Sequence, residues 1–359
     1  MPVEELYGDE YGYESHLNSQ MRHHLISAAK NLETQFQPTR GDSVLDIASN
    51  DGTLLSGYSG SDFCKFGVDP LARKLSDKYP INSIKIPQFF SAESVRDYTN
   101  NEFKIITSFS VFYDLDKPIE FVHSVEEILA KDGVWVLEQS YFFGMMETLS
   151  FDTICHEHLL YLRLIDIEKI LSETSLEVFD VQLNEANGGS FRVFVKRKTL
   201  SLPISPFVDW LRKKELAWES DPSFSADTFA RRVKVFKEEI RDLLSRFKHQ
   251  GKTIIGFGAS TKGNALLQYC GLTNEFIEFI VEINERKFGK VTPGTEIPIQ
   301  SEEYFKEVFR DREDAVGFIL PWHLADSVIE RNVLTASSLN PREFVLPLPR
   351  YPRVLNFPK

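Results

Sequence analysis

Ser43-Val44-Leu45-Asp46-Ile47 is a strand-forming run that stops in a turn of small and polar residues, Ala48-Ser49-Asn50-Asp51-Gly52; Thr53-Leu54-Leu55 then reads as a helix start. A buried strand ending this way belongs to an alternating α/β sheet with helices on both faces. The pattern repeats downstream. Strands are expected at Ser43–Ala48, Cys64–Asp69, Ser83–Ile86, Lys104–Phe109 and Val134–Gln139, and helices at Leu17–Leu32, Pro118–Ala130 and Asp166–Glu173. Glu177–Leu183 and Phe191–Lys198 flank Asn187-Gly188-Gly189-Ser190 and read as a hairpin whose turn needs positive φ. Pro203 and Pro206 interrupt the pattern between Leu200 and Phe207, and a long amphipathic helix is expected over Ala226–Gln250. A second α/β series then supplies strands at Thr253–Gly258, Phe276–Glu282, Ala315–Leu320 and Glu343–Leu346. The expected organisation is a helical segment (1–40), a cofactor-binding α/β domain (41–200), a linker with a bridging helix (201–250) and a second α/β domain (251–359).

The 359 residues are enough for two cores, and 41 basic against 53 acidic side chains give a net charge of −12. That balance argues against a general nucleic-acid surface. Cys64, Cys155 and Cys270 lie far apart with no CxxC pair, so neither a disulfide framework nor a cysteine zinc site is expected. No apolar leader or run of membrane-spanning length is present, so the expectation is a cytoplasmic protein with no membrane partner.

The first turn has one glycine where a dinucleotide turn usually has three. A pyrophosphate needs a bare helix N-terminus; S-adenosylmethionine carries no phosphate and tolerates a more substituted loop. Ala48, Ser49, Asn50 and Gly52 are therefore candidate cofactor contacts, with Ser108 in a neighbouring strand. Asp69, ending the next strand, is placed to accept from ribose hydroxyls, although an acidic residue there is also a common helix cap. Asp46 is a candidate for positioning the loop or meeting the methionine ammonium. The second turn, Gly256-Phe257-Gly258-Ala259-Ser260-Thr261-Lys262-Gly263-Asn264, joins helix N-terminal amides with two hydroxyls and an ammonium, a set that suits a diphosphate. It lacks the spacing of a Walker A loop. Lys287 lies in a charged loop after the following strand and is a further candidate contact.

Six motifs occur in an order that is more specific than any one of them: Tyr11-Gly12-Tyr13-Glu14-Ser15, Ile47-Ala48-Ser49-Asn50-Asp51-Gly52, Glu138-Gln139-Ser140-Tyr141, His156-Glu157-His158-Leu159, Asn187-Gly188-Gly189-Ser190-Phe191-Arg192 and the second turn. In these the chain resembles the sugar C-methyltransferases that act on nucleotide-linked deoxysugars. The resemblance implies a class I methyltransferase Rossmann-like sheet binding S-adenosylmethionine. It also implies a second, C-terminal Rossmann-like α/β domain that helps hold the sugar nucleotide. In that family a small cysteine-rich zinc module usually comes first, and this chain starts where such a module would end. The resemblance leaves open a partner chain that supplies it.

C-methylation beside a ketone needs a base to remove a C–H proton and a donor to the developing enolate oxygen. The resemblance implies His158 as base and Glu157 as its polar partner, with His156 and Tyr13 as further catalytic candidates. Tyr11, Asn187, Gly189, Ser190, Ser260, Thr261, Lys262, Asn264 and Lys287 are candidate substrate contacts, with a plain hairpin, a capped turn and a solvated charged loop as the alternatives for the residues after Tyr11. Cys155 stands where some relatives carry a tyrosine, and Tyr113-Asp114 where some carry a histidine. The enolate-side donor is therefore open among Tyr13, Tyr141 and Tyr161. His156 and His158 have no identifiable third ligand, so no metal site is expected. Three other readings stay open: an O- or N-methyltransferase on a sugar nucleotide, a nicotinamide-dependent oxidoreductase, and a non-catalytic sugar-nucleotide-binding subunit.

Overall fold

The computed structural model of the protein describes residues 7, 11–309, 312–331 and 341–357. The chain separates into two compact units, Met1–Phe142 with Glu157–Trp218, and Phe143–His156 with Glu219–Lys359.

In the first unit the strand run centred on Leu45 is β1 (Ser43–Ile47), buried along its whole length as a strand covered on both faces must be. It is followed by β2 (Cys64–Val68), β3 (Ser83–Ile86), β4 (Phe103–Phe109), β5 (Leu129–Ser140), β6 (Leu176–Asn184) and β7 (Ser190–Arg197). Among the described residues they form a seven-stranded sheet ordered β3-β2-β1-β4-β5-β7-β6. Pairing is parallel from β3 to β5, and β7 runs antiparallel to both β5 and β6. This is the methyltransferase sheet that the resemblance implies. The loop between β6 and β7 carries positive φ at Asn187, Gly188 and Gly189, as the hairpin reading requires.

Helix α1 (Ser19–Phe36) starts where the Asn18 side chain accepts the Met21 N–H, and it buries Leu25, Ala28, Ala29 and Leu32. It packs on Leu54, Leu55 and Tyr58 and replaces the helix expected after the first turn. Only a single 3₁₀ turn, Leu55–Gly57, forms there. The segment lies close against α1: a Cβ on Gly57 would lie 2.6 Å from the Ile26 carbonyl oxygen and 2.8 Å from Ala29 Cβ, so only glycine fits there. Three more helices matter here: α2 (Pro118–Ile128), α3 (Leu164–Leu171) and α4 (Pro206–Glu219). The interruption expected at Pro206 is in fact a helix start, since proline suits the first helical turn, where an N–H has no intrahelical partner. The buried Glu215 of α4 accepts from Leu164 N–H (2.7 Å), Ile165 N–H (3.0 Å) and Tyr141 hydroxyl (2.9 Å), fastening α4 to the N-terminus of α3.

In the second unit β8 (Thr253–Phe257), β9 (Ile280–Glu282), β10 (Ile299–Ser301), β11 (Ala315–Ile319), β12 (Glu343–Leu346) and β13 (Arg353–Asn356) are ordered β10-β9-β8-β11-β12-β13. All pairs are parallel except β12 with β13. Helix α5 (Ala226–His249) buries Phe229, Val233, Phe236, Ile240, Leu244 and Phe247, one stripe at helical spacing, and α6 (Thr261–Cys270) follows β8. Phe151 sets its ring 5.3 Å from Phe236 and 5.2 Å from Tyr269, which anchors Phe143–His156 in this unit. The strand expected from Phe276 begins only at Ile280, because the Phe276 and Ile277 N–H groups bond back to the Thr273 carbonyl in a turn. The short edge strands β10 and β13 were not expected. Among the described residues no helix is long and apolar enough to cross a membrane.

Candidate functional site

After β1 the chain turns through three left-handed residues, Ala48 (φ 56°), Asn50 (φ 50°) and Gly52 (φ 74°). They curl the backbone into a concave loop at the C-terminal edge of the sheet, where open α/β sheets bind ligands. Gly52 is needed for its φ and for space, as a Cβ would lie 2.8 Å from the Tyr79 ring. The Tyr79 hydroxyl pairs with Ser49 Oγ (2.8 Å) and donates to the Asn50 carbonyl (2.9 Å), which places the Ser49 hydroxyl beneath the turn. Asp69 Oδ2 accepts the Asn50 N–H (2.8 Å) and Oδ1 accepts the Leu71 N–H (2.7 Å). Asp69 is therefore a cap as well as a brace for the first turn, and each oxygen keeps a lone pair for a ligand hydroxyl.

Asp46 lies under the turn and accepts from Thr107 Oγ1 at 2.6 Å. Burial pushes its carboxyl up to about 7; the Thr107 hydroxyl opposes this and the Asp69 and Asp51 carboxylates add to it. Burial likewise raises Asp69, against its two backbone N–H bonds. Three carboxyls at one turn repel a pyrophosphate and suit a ligand that brings cationic groups and hydroxyl donors. S-adenosylmethionine, with its sulfonium, ammonium and ribose hydroxyls, fits that set.

The side chains of Asn50 and Asp51 are engaged on the N-terminal segment. Asn50 Oδ1 accepts the Ser15 N–H (3.0 Å) and its Nδ2 donates to the Tyr13 carbonyl (3.0 Å). Asp51 Oδ2 accepts the His16 N–H and meets His16 Nδ1, both at 2.8 Å. Tyr13–His16 is thereby pinned onto the turn, while the Tyr13 side chain stays 46% exposed. Ser108 is not brought to the turn: it is fully buried, and its hydroxyl accepts from Trp135 Nε1 (2.9 Å) inside the sheet.

His158 is seated at the end of β4. Its ring lies 4.2 Å, centroid to centroid, from that of Tyr113, and the Leu159 and Leu160 N–H groups both donate to the Tyr113 carbonyl at 2.9 Å. A Glu157 carboxylate oxygen and a His158 ring nitrogen come within 4.8 Å of each other. The Glu157 charge is also felt at Tyr11, whose phenol is held well above its ordinary value by burial first and Glu157 second. His156 is exposed.

Three features at this sheet edge went unassigned in the sequence. Glu138, at the end of β5, is buried and ion-paired with Arg192 of β7 (2.7 Å); it also accepts from Asn184 Nδ2 (2.9 Å) and hydrogen-bonds His24 of α1. These partners outweigh burial and hold the carboxyl below its usual value. The next residue, Gln139, is 1% exposed, and neither its Nε2 nor its Oε1 has a hydrogen-bond partner among the described residues. The third is Asp114, whose Oδ1 is buried and unpartnered in the same sense. A strand-end carboxylate in a parallel sheet was the available signal for Glu138, but its partners come from α1, β6 and β7. The hairpin residues reach the same edge: Asn187 Nδ2 donates to Ser110 Oγ (3.1 Å) and the Gly189 carbonyl accepts the Tyr141 N–H (3.1 Å). Ser190 Oγ turns back to the Ala186 carbonyl (2.8 Å).

In the second unit Ser260 is the N-cap of α6, accepting the Gly263 N–H at 3.0 Å, and Thr261 is exposed. Lys262 is buried, and burial lowers its ammonium while the nearby Asp152 carboxylate raises it. Asp152 is fully buried, accepts from Trp322 Nε1 (2.8 Å) and leaves Oδ1 unpartnered among the described residues, as Asn264 does its own Oδ1. Lys287 Nζ donates to the Ala259 carbonyl (2.6 Å), and Glu282 accepts the Ala259 N–H (2.8 Å), so the turn after β8 is clamped from both sides.

A family model described as a C-methyltransferase C-terminal domain matches residues 185–349, and one described as a methyltransferase domain matches residues 13–181. The C-methyltransferase NovU of Streptomyces niveus is 30% identical over 321 residues, which are 89% of this chain and 74% of NovU. Among solved structures, the magnesium protoporphyrin IX methyltransferase ChlM of Synechocystis with bound SAH is similar at 12% identity and a TM-score of 0.40, over 54% of this chain and 92% of that one. An S-adenosylmethionine-dependent methyltransferase of Clostridium acetobutylicum is similar at 14% identity and a TM-score of 0.39, over 48% of this chain and 90% of that one.

Proposed function

The chain belongs to the C-methyltransferase family, and we propose that it methylates the carbon beside the ketone of a nucleotide-linked deoxysugar, with His158 as the base. It is an S-adenosylmethionine-dependent enzyme, and membership of this family sets aside the O- and N-methyl, nicotinamide and non-catalytic readings. When bound, S-adenosylmethionine supplies an electrophilic methyl group on a sulfonium. The backbone of Ala48, Asn50 and Gly52 and the carboxyls of Asp46 and Asp69 would hold it.

The observation that carries the reading is the seating of His158 on Tyr113, at the end of the strand next to β1. Imidazole is basic near neutral pH, and Glu157 is close enough to stabilise the imidazolium. His158 takes the proton from the carbon beside the ketone, and the C–H electron pair moves toward the ketone oxygen. That carbon then bonds the methyl carbon as its C–S bond breaks, and the ketone re-forms. The products are a C-methyl sugar nucleotide, S-adenosylhomocysteine and the proton on His158. The hydroxyls at the start of α6, with Lys262 and Lys287, support an anionic nucleotide as the carrier of the sugar.

The test begins with calorimetric binding of S-adenosylhomocysteine. Thymidine- and guanosine-diphosphate-linked 4-keto-6-deoxysugars are then offered in deuterated buffer, with product followed by NMR and mass. A new C-methyl group, and deuterium at the same carbon when the methyl donor is withheld, are expected. An enzyme that binds S-adenosylhomocysteine yet neither methylates nor exchanges any of these sugars overturns the sugar reading.

A further inference from the structure

Asp114 ends the 3₁₀ turn Phe112–Asp114 directly after β4 and is the chain neighbour of Tyr113, on which His158 sits. Its Oδ2 accepts the Tyr7 hydroxyl at 2.9 Å, and its Oδ1 is buried with no hydrogen-bond partner among the described residues. The Tyr7 ring packs edge-on against Tyr11 at 5.1 Å. Glu157 acts electrostatically on Tyr7, Tyr11 and Asp114 alike, so one cluster holds all four groups with His158 beside it.

The neutral form of Asp114 is favoured here. Burial raises its pKa most, the Tyr7 hydroxyl pulls it back, and the Glu157 carboxylate raises it again, to about 8. A neutral carboxyl has one O–H. With Oδ2 accepting from Tyr7, the proton belongs on Oδ1, which then lacks an acceptor. A buried O–H without an acceptor is a hydrogen bond that a ligand oxygen completes. Two of the three tyrosines open as donors are already used: the Tyr141 hydroxyl donates to Glu215 and the Tyr161 hydroxyl to the His158 carbonyl (3.2 Å).

We propose that Asp114 is a catalytic residue that donates through Oδ1 to the ketone oxygen while His158 removes the neighbouring C–H proton. This rests on the keto-sugar reading. The ketone oxygen gains negative charge as the C–H bond breaks, and the Asp114 proton moves toward it. When the carbon bonds the methyl group the C=O re-forms and the proton returns to Asp114, so no net proton is exchanged there.

The experiment uses the whole chain and the same keto-sugars with S-adenosylhomocysteine bound, measuring C–H to C–D exchange from pH 6 to 10. The parent rate should fall on the alkaline side near pH 8. Asp114→Ala should lose about a hundredfold or more of that rate, as expected for a lost oxyanion donor, with S-adenosylhomocysteine binding kept. Asp114→Asn should retain part of the rate and lose the alkaline fall, and Tyr7→Phe should move that fall to higher pH. Parent-like rate and pH profile in Asp114→Asn overturn the proposal. If the parent exchanges none of these sugars, the keto-sugar reading fails. Carboxyl NMR, assigned with Asp114→Asn, then judges Asp114 separately: a midpoint near pH 8 supports the poised donor, and an ordinary carboxyl midpoint overturns it.

Discussion

The turn after β1 and the turn after β8 leave equivalent positions of two doubly wound sheets, yet their charged groups differ. The first gathers Asp46, Asp51 and Asp69, and the second pairs Lys262 with Asp152 and Lys287 with Glu282 beside a helix N-terminus. The first is braced by a carboxylate accepting backbone N–H groups; the second is clamped by an ammonium donating to a carbonyl and a carboxylate accepting an N–H. One backbone path thus carries a group of carboxyls at one turn and lysine–carboxylate pairs at the other.

The largest break in this comparison should come at the base proposed in the first unit. His158→Ala is expected to lower turnover about a thousandfold, within the range for a general base, and to leave S-adenosylhomocysteine affinity unchanged by calorimetry. Next comes the buried charge of the second turn. Lys262→Met removes the cation facing Asp152 and should cost about 3 kcal/mol in urea unfolding, whereas Lys262→Met with Asp152→Asn should recover much of it.

A smaller effect concerns the acidic turn itself. The Asp46 carboxyl is raised above its unfolded value, so its contribution to stability is full below about pH 4 and is lost as pH rises through about 7. The parent should therefore melt lower at pH 8.5 than at pH 5.5, and Asp46→Asn should flatten that difference. The smallest effect separates charge from capping at Asp69. Asp69→Asn keeps one of the two acceptor oxygens and should weaken S-adenosylhomocysteine binding by about tenfold with a partial loss of melting temperature, while Asp69→Ala loses both backbone bonds and should melt lower still.

Much of the fold was legible because its signals are local. The run Val44-Leu45-Asp46-Ile47, the positive-φ glycines at 188 and 189 and the stripe Phe229, Val233, Phe236 and Ile240 each declare an element without reference to any other. Pro206 was legible as punctuation but not as a start, since a proline that breaks one element also suits the first turn of another. The missing helix after Gly52 was not legible, because α1, from far upstream, takes its place.

The same division runs through the site. By itself the sequence determined the two sheets, the two ligand-sized turns and the presence of His158 with an adjacent carboxylate, because hydrophobic period, turn chemistry and chain adjacency are properties of neighbouring residues. Only the tertiary structure decided that Asn50 and Asp51 staple the N-terminal segment, that Ser108 faces Trp135, and that Lys262 meets Asp152. It likewise left Asp114 Oδ1 buried without an acceptor. Burial and hydrogen-bond partnership depend on residues tens to hundreds of positions apart, and these decide whether a carboxyl is a brace, a charge or an acid.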